Sequence, residues 1–220
     1  MSWRESVSNL CITLALAGCA HRQAPAAEPS LPPPEAAPEG GSQKAARARL
    51  RAVIRDRSFL EQLAESERTT TIFEPFSGRM VIIYMVDDRG AARGAQVSDL
   101  AESGVARDAL RPVVEWNLAK LLFDPVNCES HSISEPARRS YYESSRLLLD
   151  TQWADLAAKV GTVVVAAPSN DTLFVACNPT PEILHKLSVV VQNTYPRAPR
   201  PVSPSLLTWS KGGFRELPAP

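Results

Sequence analysis

The sequence predicts an α+β fold, in which a mixed or antiparallel sheet built from hairpins carries about four helices within a single domain. Two observations support this prediction. Apolar runs rich in β-branched residues come in pairs separated by turn residues, which is typical of hairpins. Segments with apolar residues at helical spacing lie between these pairs. The strands therefore cluster instead of alternating singly with helices, which favours α+β over α/β.

The 220 residues divide into three predicted parts: residues 1–18, residues 19–41 and residues 42–220. The first part has Arg4 before an apolar run that is too short to span a bilayer, as in a signal peptide. The run ends in Leu16-Ala17-Gly18-Cys19, which resembles the lipobox of bacterial lipoproteins. That resemblance implies that Cys19 is lipidated, by acyl chains such as palmitate, and becomes the new N-terminus. The alternative is an ordinary secretory signal that contains a cysteine.

The predicted lipid anchor places the protein in the bacterial cell envelope. Several acyl chains on one residue hold a protein stably on a membrane. Ala20, rather than Asp, follows the cysteine, which by the same resemblance favours the outer membrane, with the domain facing the periplasm. Residues 19–41 are rich in Pro and Ala, and six prolines there exclude helix and sheet. This part is therefore predicted to be a disordered, extended tether; the alternative is a proline-rich ligand for a partner.

Residues 42–67 are predicted to form a helix, because Leu50, Val53 and Ile54 lie on one broad apolar face. Ser58 and Glu61 match a capping box and allow a second helix to begin there. Five arginines follow one another closely at positions 47, 49, 51, 55 and 57. They indicate either a solvated helix face or a patch for anionic lipid or nucleic acid.

The middle of the chain is predicted to contain three strands and two helices. The strands are residues 69–76, 79–86 and 94–97, and the second is apolar on both faces. A short helix over residues 99–102 and a longer one ending near Leu122 follow. Pro112 fits the longer helix if the helix begins near Asp108; otherwise Pro112 kinks it.

The last third is predicted to contain two helices and two hairpins, after an irregular segment over residues 125–139. A capping-box match at Ser140 and Glu143 begins a helix that ends at Gly161. Residues 163–167 and 173–177 form a hairpin around a Pro-Ser-Asn-Asp turn. Thr180 caps the next helix, with Pro181 at its first position. Residues 206–210 and 214–217 close the chain as a further hairpin.

Two cysteines, Cys128 and Cys177, remain in the predicted mature domain. In an oxidising compartment an even pair is a disulfide candidate. The bond would close a loop of about 50 residues and contribute roughly 3–4 kcal/mol in the loop-entropy model. The alternative is two buried free thiols.

Residues from about 69 to 217 resemble the YtpQ-like bacterial proteins, a family of unknown function. Short motifs in the same order carry the resemblance: Val81-Ile82-Ile83-Tyr84, Trp116-Asn117-Leu118, Tyr142-Glu143-Ser144-Ser145-Arg146-Leu147, Val165 to Leu173, and Ser205-Leu206-Leu207. The resemblance implies a fold and no established activity.

Motifs with known chemistry are scarce. No Gly-rich phosphate loop follows a strand, and no Gly-x-Ser-x-Gly motif is present. The chain has only three histidines, so neither a metal site nor a cofactor is predicted. Cys128-Glu129-Ser130-His131 indicates either a metal or thiol–imidazole site or, as we prefer, a polar loop that contributes one half of a disulfide.

The candidate ligand-binding residues are Ser145, Arg146, Asn170 and Asp171. Asp171 follows a strand and is interpreted as an acidic side chain that faces a ligand. Arg146 and Ser145 lie on the preceding helix. The alternative is that Asp171 satisfies backbone donors of its turn while Arg146 pairs with it. Asn117, in an apolar helical stretch, is predicted to bond a strand backbone rather than a ligand.

The function predicted from the sequence is a non-enzymatic binding or interaction domain on a membrane-anchored envelope lipoprotein. Its predicted partners are the membrane, through the lipid on Cys19, and an envelope protein. The 24 basic and 24 acidic residues balance, which argues against a nucleic-acid partner. The alternatives are a hydrolase-type enzyme using Asp171, Arg146 and Ser145, and a purely structural lipoprotein.

Overall fold

A computed structural model describes residues 41–88, 91–136 and 140–218. The predicted signal peptide, Cys19 and nearly all of the predicted tether lie outside the described residues. The strands form two antiparallel sheets, and helices pack against them. The α+β prediction is confirmed, with the strands divided between two sheets.

The first sheet is built around one long central strand. Its strands are β1 (Leu50–Asp56), β2 (Phe73–Pro75), β3 (Met80–Asp88) and β4 (Ala91–Gly94). β1 pairs over its own full length with one side of β3, while β2 and β4 share the other side. Val53 lies opposite Ile83 in this register, so the two side chains share one face of the sheet.

The second sheet has the order β5-β7-β6-β8-β9. Its strands are β5 (Ser132–Ser134), β6 (Val163–Ser169), β7 (Thr172–Cys177), β8 (Leu206–Ser210) and β9 (Gly213–Glu216). Both hairpins predicted in the last third of the chain are confirmed, with Asn170-Asp171 and Lys211-Gly212 at their turns.

The helices cover the sheets. They are α1 (Gly41–Ala48), α2 (Ser58–Gln62), α3 (Glu65–Thr70), α4 (Val97–Ser103), α5 (Leu110–Leu121), α6 (Asp150–Val160) and α7 (Pro181–Thr194). Short 3₁₀ helices span Glu143–Leu148 and Tyr195–Arg197. α5 packs on β1, and α6 and α7 pack on β6. The main core joins both sheets around the buried Trp153, and α7 adds a smaller core through Leu187 and Val191.

The helix predicted over residues 42–67 is wrong in its centre, because Leu50–Asp56 is a strand. Leu50, Val53 and Ile54 match helical spacing, but six of the seven residues of this segment are buried. This segment pairs with β3 over the segment's full length and is buried on both faces. These interactions outweigh its local preference for a helix. The second helix predicted from Ser58 is present as α2.

Other boundaries shift for local reasons. Thr69 and Thr70 end α3, so only Phe73–Pro75 of the predicted strand pairs with β3. The third strand, predicted over residues 94–97, lies earlier, at Ala91–Gly94, and α4 begins at Val97. The segment predicted as irregular contains the short strand β5, which pairs with β7. The helix predicted from Ser140 to Gly161 is divided at Leu149 into a 3₁₀ helix and α6.

Three predicted helix ends are confirmed. α5 begins at Leu110, which places Pro112 in its first turn. α6 ends at Gly161, whose φ of 86° is unfavourable for other residues. Thr180 caps α7, because its Oγ1 accepts the Ile183 N–H at 3.4 Å, and Pro181 is the first residue of the helix. No helix among the described residues has the length and apolar character needed to cross a membrane.

Candidate functional site

The structure places two of the predicted site residues inside the protein. Ser145 is fully buried, and its Oγ donates to the carbonyl of Ala52 at 2.8 Å. Arg146 is 1% exposed, and its Nε donates to a Glu143 carboxylate oxygen at 2.8 Å. Its Nη1 donates to the carbonyls of Leu122 and Asp124 at 3.0 and 2.8 Å. These bonds fix the 3₁₀ helix beneath the end of α5.

Arg146 therefore pairs with Glu143, and the alternative in which it pairs with Asp171 is wrong. The guanidinium is buried, and its bonds go to Glu143, Leu122 and Asp124. Asp171 is exposed and accepts hydrogen bonds from the hydroxyls of Ser169 and Thr172, at 2.5 and 3.3 Å. The Ser169 bond is the main reason that the pKa of Asp171 is lowered. The structure does not bring Ser145, Arg146 and Asp171 together.

Asn170, the fourth predicted residue, is 1% exposed and connects three segments. Its Nδ2 donates to the carbonyl of Tyr141 at 2.7 Å. Its backbone N–H donates to the carbonyl of Arg200 at 3.2 Å, and its carbonyl accepts the Ser144 N–H at 2.9 Å. Asn170 thus fixes the backbone positions of Tyr141 and Arg200.

Asn117 bonds a backbone, as predicted. Its Nδ2 donates to the carbonyls of Arg47 and Leu50 at 2.9 and 3.0 Å. Ser145 does the same for Ala52, two residues further along β1. The two side chains satisfy the carbonyls of Leu50 and Ala52 on the edge of β1 that faces away from β3, and Asn117 also bonds the end of α1.

A cavity of about 400 Å³ lies beside the residues that Asn170 positions. β1, β3, β4 and α2 surround it, together with Tyr141 and the segment 199–201. Its lining residues are Val53, Arg55, Asp56, Ser58, Phe59, Gln62, Ile83, Met85, Ala92, Arg93, Gly94, Tyr141, Pro199, Arg200 and Pro201. This volume is in the range of small-molecule sites.

Arg55 is the buried cation of this cavity, with 5% exposure. Its Nη2 donates to the Tyr141 hydroxyl at 3.0 Å, and its Nη1 to the Arg200 carbonyl at 3.4 Å. The guanidinium carbon lies 5.7 Å from the centre of the Phe59 ring and 5.9 Å from that of Tyr141. A guanidinium has five N–H donors, so these two neutral acceptors leave donors for a ligand.

A second guanidinium, that of the exposed Arg200, lies 4.8 Å from the centre of the same Tyr141 ring. Within the described residues, neither Arg55 nor Arg200 forms an ion pair with a carboxylate. Burial lowers the pKa of Arg55 and the charge of Arg200 lowers it further, while Tyr141 and Asp171 act in the opposite direction. Asp171 also interacts electrostatically with Arg200. The cavity thus concentrates positive charge around one aromatic ring.

The other charged lining residues have their own partners. Asp56 is 1% exposed; it accepts the Ser58 N–H at 2.8 Å and the Tyr195 hydroxyl at 3.2 Å, and it pairs with Arg79 at 3.3 Å. Burial alone would raise the pKa of Asp56, but these partners hold it below its ordinary value. Arg93 binds both carboxylate oxygens of Asp99, at 2.6 and 2.7 Å. Arg55 and Arg200 are therefore the lining charges best placed to meet a ligand.

Arg55, Tyr141 and Arg200 are not among the site residues that the sequence predicts. Of the two interpretations of the arginine cluster, the solvated helix face is wrong for Arg55, because this residue lies in β1, is buried and lines the cavity. The strand period was the available signal, since Val53 and Arg55 project from the same face. Arg200 lies 145 residues from Arg55, and no local pattern connects the two.

The structure joins Cys128 and Cys177 by a disulfide, with a Cα–Cα distance of 5.9 Å. The bond lies where β5 meets β7, and the backbone N–H of His131 donates to the Cys177 carbonyl at 2.8 Å. In the part of the chain that is described, no group of three or more His, Cys, Asp or Glu side chains is arranged to hold a metal ion.

No family model, curated protein or solved structure matches this chain. The resemblance to the YtpQ-like proteins stays a prediction. Two of the motifs that carry it meet in space, because Ser144 of one bonds Asn170 of the other.

Proposed function

We propose that this protein is a lipid-anchored binding protein of the bacterial cell envelope, and that its domain binds a small anionic ligand in the cavity lined by Arg55 and Arg200. The observation that carries the proposal is the convergence of these two guanidinium groups on Tyr141 without a carboxylate partner among the described residues. The proposed role is binding, not catalysis.

Burial makes an anion favourable at this place. A buried cation loses hydration, and the loss is compensated only by a counter-charge and further hydrogen bonds. Arg55 has 5% exposure, two neutral acceptors and a second cation nearby. A carboxylate between the two guanidinium groups would supply the missing charge and accept the remaining N–H donors, in the bidentate geometry that arginine favours.

The residues around the cavity support binding over catalysis. The described lining includes no His, Cys or Lys, and its hydroxyl groups belong to Ser58 and Tyr141. The Tyr141 hydroxyl accepts from Arg55, which is a cation and cannot act as a base. The alternative hydrolase would use Ser145, but the Ser145 hydroxyl already donates to Ala52 inside the core.

The membrane part of the proposal rests on the sequence. Leu16-Ala17-Gly18-Cys19 supports lipidation, and the proline-rich segment behind it would hold the domain away from the membrane surface. In cells, Cys19→Ser should move the protein from the membrane fraction to the soluble fraction. Continued membrane association of this variant would contradict the anchor.

Ligand binding is tested with butyrate and uncharged butyramide. Because an acylated chain requires detergent, the experiment uses the full chain carrying Cys19→Ser. We expect butyrate to produce a saturable change in the Arg55 Nε–H signal in NMR spectra, and butyramide to produce none. Binding to the variants is followed by the backbone amide signals of the cavity lining, because Arg55→Met has no Arg55 Nε–H. Arg55→Met should abolish the butyrate-dependent change in these signals, while the exposed Arg57→Met, two residues away and outside the cavity lining, should bind as before. Equal responses to butyrate and butyramide would contradict the proposal.

A further inference from the structure

A second cavity of about 240 Å³ lies directly beside the first. The two have part of their lining in common: Phe59, Ile83, Met85, Arg93 and Gly94. The second cavity extends between β3, α2, α3 and the start of α4, and Leu63, Glu67, Thr70, Thr71 and Gln96 complete its lining. The two cavities therefore form neighbouring parts of one groove over the first sheet.

The two ends of this groove differ in chemistry. Arg55 and Arg200 line only the first cavity. The residues that line only the second are Leu63, Glu67, Thr70, Thr71 and Gln96, of which Leu63 is the apolar one and none is a cation. The shared wall is mainly apolar, with Phe59, Ile83 and Met85 in it. Met85 is half-buried there, and its unbranched side chain changes conformation easily. A ligand that enters from the charged end would thus meet apolar surface next.

This arrangement matches a molecule with one charged end and one apolar end. The proposed anion at Arg55 fixes the head of such a ligand, and the shared wall and Leu63 provide contact for its body. Asp56 lines the same cavity as Arg55 and is ionised, with Arg79 as its ion-pair partner. A group with a single negative charge is repelled less by Asp56 than a doubly charged phosphate would be.

On the basis of the proposed function, we propose that the groove binds a fatty carboxylate: an unbranched alkyl chain with a carboxylate head. The carboxylate lies between Arg55 and Arg200, and the chain passes Met85 toward Leu63. The ligand class follows from the order of charge and apolar surface along the groove and from the position of Asp56.

The test compares four probes by NMR titration of the full chain carrying Cys19→Ser: butyrate, octanoate, butyramide and octanamide. Octanoate should bind at least ~10-fold more tightly than butyrate, because each fully buried methylene strengthens binding about fourfold. Octanoate should also bind more tightly than octanamide. Equal affinities of octanoate and butyrate would overturn the fatty-carboxylate inference and leave the anion site intact. Equal affinities of each acid and its amide would overturn the proposed function itself.

Variants separate the two ends of the groove. Leu63→Gln should weaken octanoate binding by roughly threefold or more and leave butyrate binding within about twofold. Leu121→Gln changes an exposed leucine outside both linings and should leave both affinities unchanged. Melting curves establish that each variant is folded. Octanoate binding that is insensitive to Leu63→Gln would contradict the proposed path of the chain, and tighter binding of octyl phosphate than of octanoate would contradict the carboxylate head.

Discussion

A hydrogen bond of 3.0 Å joins the Arg55 guanidinium to the Tyr141 hydroxyl, although the two residues are 86 positions apart. Arg55 belongs to the first sheet, and the carbonyl of Tyr141 is held by Asn170 at the β6–β7 turn of the second. The proposed anion site therefore depends on elements from both sheets. Its geometry requires that the seam between them remains intact.

Asn170→Ala should weaken both the fold and the ligand site. Three backbone groups, in Tyr141, Arg200 and Ser144, bond to Asn170, and the substitution removes the side-chain donor to Tyr141. Leaving a buried carbonyl without its donor costs about 1–3 kcal/mol. Urea unfolding measures this loss, and butyrate affinity should fall several-fold. The exposed Asn127→Ala serves as the control. Unchanged affinity in Asn170→Ala would refute the positioning role.

Ser145→Ala distinguishes a structural serine from a catalytic one. The Ser145 hydroxyl satisfies the Ala52 carbonyl inside the core, so its loss should lower the free energy of unfolding by about 1–3 kcal/mol. Ser98→Ala, at an exposed position, should change stability by about 0.5 kcal/mol or less. Full stability of Ser145→Ala would favour the alternative that this hydroxyl serves chemistry.

Asp99 should make the domain sensitive to acid. Two hydrogen bonds from Arg93 lower the pKa of Asp99, although burial opposes them. A carboxyl whose pKa is lower in the folded state stabilises the fold above its unfolded pKa, near 3.8, and loses that contribution as the pH falls further. The free energy of unfolding, measured in urea between pH 6 and about 2.5, should depend less steeply on pH in Asp99→Asn than in the unsubstituted protein. If the free energy of unfolding depends on pH equally steeply in both proteins, protonation of Asp99 is not linked to folding.

The Cys128–Cys177 disulfide should be present in protein exported to an oxidising compartment. Peptide mapping after alkylation without reductant should recover the two cysteines as one crosslinked pair. Cys128→Ala should lower the free energy of unfolding by roughly 3–4 kcal/mol, because the bond closes a long loop of the unfolded chain. Recovery of Cys128 and Cys177 as two alkylated thiols would contradict the bond.

The sequence was informative where local signals agree with the fold. The β6–β7 hairpin follows from two apolar runs around Asn170-Asp171, and the start of α7 follows from Thr180 and Pro181. β1 was not predicted because Leu50, Val53 and Ile54 fit a helix and a strand equally well. Only the pairing with β3, a long-range contact, distinguishes the two.

The candidate site was harder to predict for the same reason. Asn170 is predicted to bind a ligand, but it is buried, does not line the cavity and bonds Tyr141 and Arg200, which are distant in sequence. Arg146 is predicted to lie near Asp171, but it is buried on a 3₁₀ helix and bonds Glu143. Arg55 could be recognised only after β1 was assigned as a strand. Side chains that the fold brings together from distant parts of the chain leave no spacing pattern in the sequence.

The most direct test of the anion site is a crystal structure of the full chain carrying Cys19→Ser, grown with saturating butyrate. We predict the butyrate carboxylate within about 3 Å of the Arg55 guanidinium, with its alkyl end toward Met85. A structure without butyrate in the cavity, in which a carboxylate of the protein itself pairs with Arg55, would contradict the account.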